Sequence, residues 1–161
     1  MITHETVVSI VICVAAAILE GALTGGGVKE RFAELRLPYY SPSFSVWIGI
    51  GIGYYLICFL LTIRLLSIGM TTWPSIVPFS LLMAIMVANG VWGYLFFRLK
   101  SPLMSLLHLI PYSVVAVLLY GLLRSLHPVG AAILIPYLVY LPYVVWWNFQ
   151  VNRMNTIHKI L

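Results

Sequence analysis

The chain has 161 residues, 62% of them hydrophobic and 8% charged, with a mean hydropathy of +1.04. So little polar surface excludes a soluble globular protein. The formal net charge of +5 is spread along the chain and forms no single basic cluster, so nucleic acid is not an expected partner.

A bilayer core of about 30 Å and a helical rise of about 1.5 Å per residue require roughly 20 apolar residues per crossing. Five windows meet this length, at 6–25, 44–66, 74–97, 103–123 and 129–150. Their apolar runs are continuous and lack the alternation of a lipid-facing strand. The predicted fold is therefore all-α: one five-helix integral membrane domain over residues 1–161, with lipid as its main surroundings.

The first window follows MITHET, which lacks the basic start of a cleaved signal peptide, so it is expected to remain as the first helix. Glu20 is the one carboxylate inside a predicted span, and such residues are functional candidates by default. It lies within about two turns of the helix end, where pairing with Lys29, Arg31 or Arg98 is the favoured expectation. The glycines of GALTGGG, residues 21–27, read as turn formers at that end. The break at 26–43 is long enough to fold over a bundle, and Phe32, Leu35, Leu37, Tyr39 and Tyr40 give it an apolar side; a lid is expected.

On the second helix Trp47, Gly51, Tyr54 and Tyr55 share a face by their i, i+4, i+7 and i+8 spacing. Gly49-x-x-x-Gly53 is a spacing that admits a close helix neighbour, whereas Gly51 lies on the aromatic face and leaves space there. On the third helix Ser80, Ala84 and Ala88 form a small-residue seam, internal to the bundle or between two copies. Asn89 needs a partner, either an interhelical bond or a ligand, because an unmet amide in hydrocarbon costs several kcal/mol. Trp92 lies about 40° from Ala88 around the helix, between seam and pocket. His108 on the fourth helix has no second ligand at i+3 or i+4, so a satisfied histidine is expected and no metal site is assigned. On the fifth helix Tyr140, Tyr143, Val144 and Trp147 form a second aromatic stripe above Pro136, and Asn148, Asn152 and Asn155 share a face toward the chain end. Water or headgroups are expected to satisfy the last two.

Two aromatic stripes with a glycine between them either enclose a flat hydrophobic ligand or serve as helix packing and interfacial belts. Cys13 and Cys58 both fall within spans and read as small apolar residues. With four acids, four histidines and no phosphate-cradling loop after a strand, no triad, carboxylate pair or P-loop can be assembled, so no catalytic residue is assigned. Lys29, Arg31, Arg36, Arg98, Lys100, Arg153 and Lys159 fall on one side of the membrane, against Arg64 and Arg124 on the other. Seven of nine basic residues on one side place the long loop and the C-terminus in the cytoplasm and the N-terminus outside.

Three segments together resemble the TspO/translocator-protein family, also called the tryptophan-rich sensory or peripheral-type benzodiazepine receptor family. Phe32, Leu35, Pro38 and Tyr40-Ser41-Pro42 are similar to a signature that normally reads P-x-W-T-P-P, with Tyr40 in the place of Trp. Asn89-Gly-Val-Trp92-Gly93-Tyr-Leu-Phe96-Phe97, followed by Pro102, resembles N-x-x-W-S-x-x-F-F-x-x-x-x-P with Gly93 for Ser. Pro136-Tyr137, Tyr140, Tyr143-Val144, Trp147-Asn148 and Asn155 match P-Y-x-x-W-x-x-F-A-x-x-L-N…N, with Tyr140 for Trp. In the second helix the family commonly has Trp-x-x-x-Tyr, where this chain has Gly51 and Tyr55.

The resemblance implies a membrane receptor or carrier that binds a hydrophobic planar ligand, a porphyrin or haem, in a cavity near the cytoplasmic end closed by the 26–43 loop. It requires no cofactor and favours a homodimer through the third-helix seam. The site residues it implies are Tyr40, Trp47, Gly51, Tyr54, Tyr55, Asn89, Trp92, Tyr140, Tyr143, Val144 and Trp147. Some family members degrade porphyrins in light, a chemistry attributed to two indoles that here read as Gly51 and Tyr140. The alternatives are a light-dependent porphyrin-degrading enzyme using Trp47 or Trp147, and a regulatory membrane subunit without a small ligand. Val91-x-x-Tyr94-x-x-x-Arg98 and Leu118-x-Tyr120-x-x-x-Arg124 fit the loose sterol pattern, which arises by chance in Tyr-rich membrane chains and lends sterol binding little support.

Overall fold

A computed structural model of the chain describes residues 3–69 and 73–156. Five long helices cross the bundle: α1 (His4–Thr24), α3 (Phe44–Ile68), α4 (Trp73–Gly93, continued by a π-helical turn Tyr94–Arg98), α5 (Pro102–Leu126) and α6 (Pro128–Thr156). The five predicted windows coincide with them to within a few residues, except that α6 runs six residues beyond its window. Within the long loop lies a short helix, α2 (Val28–Glu34), that the composition of the loop did not announce.

The helix ends follow local chemistry. Thr3 caps α1 by accepting from the Thr6 amide, and Ser101 caps α5 by accepting from Met104 N, with Pro102 in the first turn, where its missing N–H costs nothing. Gly25 and Gly27 take φ of 76° and 80°, left-handed values that stop α1 and start α2, as the glycine run predicts.

Connections this short make sequence neighbours antiparallel. One end of the bundle gathers the α1–α3 loop, the turn after the π-helix and the C-terminal part of α6. Arg31 Nη2 donates to the Lys100 carbonyl there, and the Arg36 amide donates to Asn155 Oδ1. At the other end a His127 ring nitrogen donates to the Pro74 carbonyl. The core lies among α3, α4, α5 and α6, around Cys58, Leu61, Leu82, Ile85, Ala116, Leu119 and Leu134. Helix α1 is peripheral; only Ser9 is buried on it, and Val7, Val11, Val14 and Ile18 face outward, as a lipid-facing helix allows. Hydroxyls inside the spans return to their own helix, Thr62 to the Cys58 carbonyl and Ser113 to that of Leu109.

Two helix-seam expectations are revised. A Cβ added at Gly49 or Gly53 meets nothing within 4 Å, so this pair is not a close-packing seam within the chain. The close approach is on α4 instead. A Cβ at Gly93 would overlap Thr24 Oγ1, and one at Gly90 would sit 3.1 Å from Leu23 Cδ1 and 3.4 Å from Glu20 Cα. Glycine at these two positions lets α1 lie directly on α4. Ser80 and Ala84 are exposed and Ala88 is half-buried, so the small-residue stripe faces mostly outward.

Candidate functional site

Beside the loop, α3, α4, α5 and α6, with Glu20 of α1 and Val28 and Phe32 of α2, line a partly open cavity of about 470 Å³, within the range of roughly 300–1,000 Å³ common for small-molecule sites. The direction of each helix sets what lines it. Helix α3 descends from the loop and presents Trp47, then Gly51, then Tyr54 and Tyr55, one or two turns apart. Helix α6 ascends and presents Pro136, Tyr137, Tyr140, Val144 and Trp147 in the reverse order. Both aromatic faces therefore meet across the cavity, with Trp47 and Tyr140 in edge contact at 6.5 Å.

The roof is Phe32 of α2. Its ring lies 5.8–6.2 Å from those of Phe44, Trp47, Phe97 and Trp147, each pair tilted, edged or stacked. Three polar contacts pin the loop to α6: Trp147 Nε1 donates to Ser41 Oγ at 2.9 Å, Tyr143 OH donates to the Tyr40 carbonyl, and Asn155 exchanges bonds with the Arg36 amide and carbonyl. The loop thus joins the cavity lining through Val28 and Phe32. Its apolar underside is Phe32, Leu35 and Leu37, whereas Tyr39 and Tyr40 are 93% and 74% exposed, contrary to expectation. The reason is local: the Pro38–Ser41 turn, closed by a Ser41 N–Pro38 O bond, carries both tyrosines away from the bundle. Outside the membrane, Arg31 and Lys100 flank Glu34 and hold its carboxyl below the usual range, chiefly through the Arg31 hydrogen bond.

The polar groups in the wall are few. Glu20 Oε2 accepts from Tyr55 OH at 2.6 Å and from Asn89 Nδ2 at 2.9 Å. This replaces the expected pairing with Lys29, Arg31 or Arg98. Helix α1 rests so closely on Gly90 that Glu20 is turned inward to Asn89, one residue away, while Arg98 donates to the Ala22 carbonyl. Trp47 Nε1 is buried and has no acceptor among the described residues. Deeper, Tyr137 OH donates to Tyr112 OH and Tyr54 OH to the Ile85 carbonyl.

Of the eleven residues singled out from sequence, Trp47, Gly51, Tyr54, Tyr55, Asn89, Trp92, Tyr140, Val144 and Trp147 line the cavity. Tyr40 and Tyr143 do not; Tyr143 holds the loop from outside, and Tyr40 offers it only a carbonyl. Trp92 stacks on Phe96 at 5.1 Å and donates to Asn148 Oδ1, which also accepts from Ser105. The π-helical turn beginning at Tyr94 places Phe96 in this buried cluster and Phe97 in the cavity wall. His108 Nε2 lies 2.9 Å from the Ala88 carbonyl, which satisfies it as expected. Asn155 is satisfied by protein, not by water or headgroups.

Sequence reasoning missed Glu20, Phe32, Phe97, Tyr112 and Tyr137 as lining residues. A signal existed for Tyr112, which is spaced a helical turn from His108 and three residues from cavity-lining Leu109, but no stripe of aromatic residues marks it.

Compared with known families, residues 9–154 match the TspO/MBR family. Comparison with curated proteins gives no match. The match runs through all five spans, from the second turn of α1 to the last turn of α6, and includes every residue lining the cavity. The chain is thus a multi-pass integral membrane protein and belongs to the TspO/MBR family.

Proposed function

We propose that this protein is a membrane receptor or carrier for a hydrophobic planar ligand of the porphyrin or haem type, taken up in the cavity and covered by the loop at 26–43. The observation that carries this reading is the cavity itself, an aromatic slot with a few inward polar groups and a roof fastened by hydrogen bonds. Flat π-faces on two opposed helices suit a flat ligand, and the few polar atoms suit orientation more than affinity.

Titration of the purified protein with protoporphyrin, followed by tryptophan fluorescence, tests the reading. Saturable quenching at about one ligand per chain is expected, and featureless partitioning into detergent would refute it. Tyr140→Ala and Asn89→Ala should each weaken affinity by about 1–3 kcal/mol. Unchanged affinity in both, with folding intact, removes this wall from the site.

We further place the loop end of the bundle in the cytoplasm. Six of the seven basic residues counted on that side, Lys29, Arg31, Arg36, Arg98, Lys100 and Arg153, are among the described residues; Lys159 lies outside them. In sealed cells, a membrane-impermeant thiol reagent should label a cysteine at Thr3 but not one at Thr156, in a background with Cys13 and Cys58 replaced by Ala. The reverse pattern overturns the orientation. The outward stripe of Ser80 and Ala84 supports a homodimer through α4, which crosslinking at these positions would detect.

A second reading, a light-driven porphyrin-degrading enzyme, is favoured by one contact. Trp47 and Trp147 both reach the cavity wall and meet edge to face at 4.9 Å, and Trp92 lines it too, so indoles remain at the site although both family positions lack them.

A further inference from the structure

Glu20 is the one acidic residue in the cavity wall, and no Lys, Arg or His among the described residues lines that wall with it. The ion pairs among the described residues both involve Glu34, outside the spans. Both of Glu20's donors, Tyr55 OH and Asn89 Nδ2, converge on the single oxygen Oε2. They fix the direction of the carboxyl group and leave Oε1 without a donor among the described residues.

A carboxylate in a low-dielectric wall is costly when it lacks a countercharge and a full set of hydrogen bonds. What completes it is a cation that also donates. From this single carboxylate in a cavity wall that holds no cationic residue, with one oxygen lacking a donor among the described residues, we propose that the cavity selects a hydrophobic ring ligand bearing a protonated amine, with the amine donating to the Glu20 carboxylate.

This rests on the cavity being the binding site and names the ligand chemistry that site prefers. A charge-assisted N–H···O bond is roughly twice as strong as a neutral one. The rings of Tyr55 and Tyr54, in mutual edge contact at 5.2 Å, add cation–π attraction at the same level of α3. A ligand carboxylate placed at that level meets a like charge instead, so a porphyrin fits this cavity only with its propionates turned away from Glu20. The order of preference is therefore amine, then uncharged, then acid.

Three acridine probes separate these cases: one with a primary aminopropyl chain, its N-acetylated form, and a carboxypropyl counterpart. Binding is measured on the full chain in uncharged detergent, with protoporphyrin as competitor. The amine should bind at least tenfold more tightly than the acetylated probe, the acid most weakly, and protoporphyrin should displace the amine. Glu20→Gln should bring the amine down to the affinity of the acetylated probe. Equal binding of amine and acetylated probes to the unmodified chain overturns the proposal, and so does an amine preference that survives Glu20→Gln or resists protoporphyrin. Should Glu20→Gln fail to fold, the comparison of probes on the unmodified chain decides alone. Binding of protoporphyrin without an amine preference defeats this inference and leaves the cavity reading standing; failure of all probes and of protoporphyrin defeats both.

Discussion

Trp147→Ala is expected to destabilise the protein and open its roof together. The side chain is fully buried, stacks under Phe32 at 6.0 Å, meets Trp47 at 4.9 Å and Phe96 at 5.5 Å, and donates its one polar hydrogen to Ser41. Truncating a packed Trp costs roughly 3–5 kcal/mol in a water-soluble core. In a membrane span the unfolded helix remains in hydrocarbon, so mainly the packing share survives, about 2–3 kcal/mol. A fall in Tm in detergent and at least a tenfold loss of protoporphyrin affinity should accompany each other. Trp147→Phe narrows the two causes, because it keeps a stacking ring while losing the bond to Ser41, worth about 1 kcal/mol, together with the packing of the pyrrole ring. An alanine variant with unchanged Tm and affinity would show that neither the roof nor the cavity depends on this residue.

The same residue shows how far sequence carried. The five spans were legible because apolar length alone defines them: lipid demands a continuous run, and each run here is bounded by a cap, a glycine or a charge. The facing of α3 and α6 was legible from helical spacing, which put Trp47 and Trp147 on their inner faces. Loop geometry was not. Phe32 and Tyr40 are both aromatic residues in one polar-flanked stretch, and only the formation of α2 and the turn at Pro38 sends one inward and the other out. Spacing rules hold within a helix and are silent across a turn.

Glu20 failed for a different reason. A carboxylate near a helix end with basic residues nearby in sequence reads as an ion pair, and three candidate cations were present. What decided otherwise was the depth to which α1 sinks into α4, a distance set by Gly90 and Gly93 on another helix. Two absent side chains turned the carboxyl group from the membrane surface to the cavity. The Gly49–Gly53 pair, identical in spacing logic, has no neighbour close enough to matter, because that part of α3 faces outward or onto the cavity.

Illumination of the porphyrin complex is expected to bleach the porphyrin no faster than illumination of porphyrin in protein-free detergent. Indole is oxidised more readily than phenol and offers a larger stacking face, and the two positions at which the family is attributed with this chemistry are Gly51 and Tyr140. Trp147 is a poor substitute: it is fully buried, covered by Phe32 and Phe96, and its N–H is committed to Ser41. Trp47 is the better placed indole, half-buried, on the cavity wall and with its N–H unpartnered among the described residues, but it stands alone in that respect. Gly51→Trp combined with Tyr140→Trp should therefore raise the rate several-fold. The geometry permits the first change, since a Cβ at Gly51 meets nothing within 4 Å and Gly51 lines the cavity; the second replaces one large ring by another in edge contact with Trp47. The readout is the absorbance decay under constant light with the product resolved by chromatography. Rapid, protein-dependent conversion to one defined product by the unmodified chain would reverse the conclusion and make Trp47 the residue responsible, in which case Trp47→Phe should abolish conversion while porphyrin still binds.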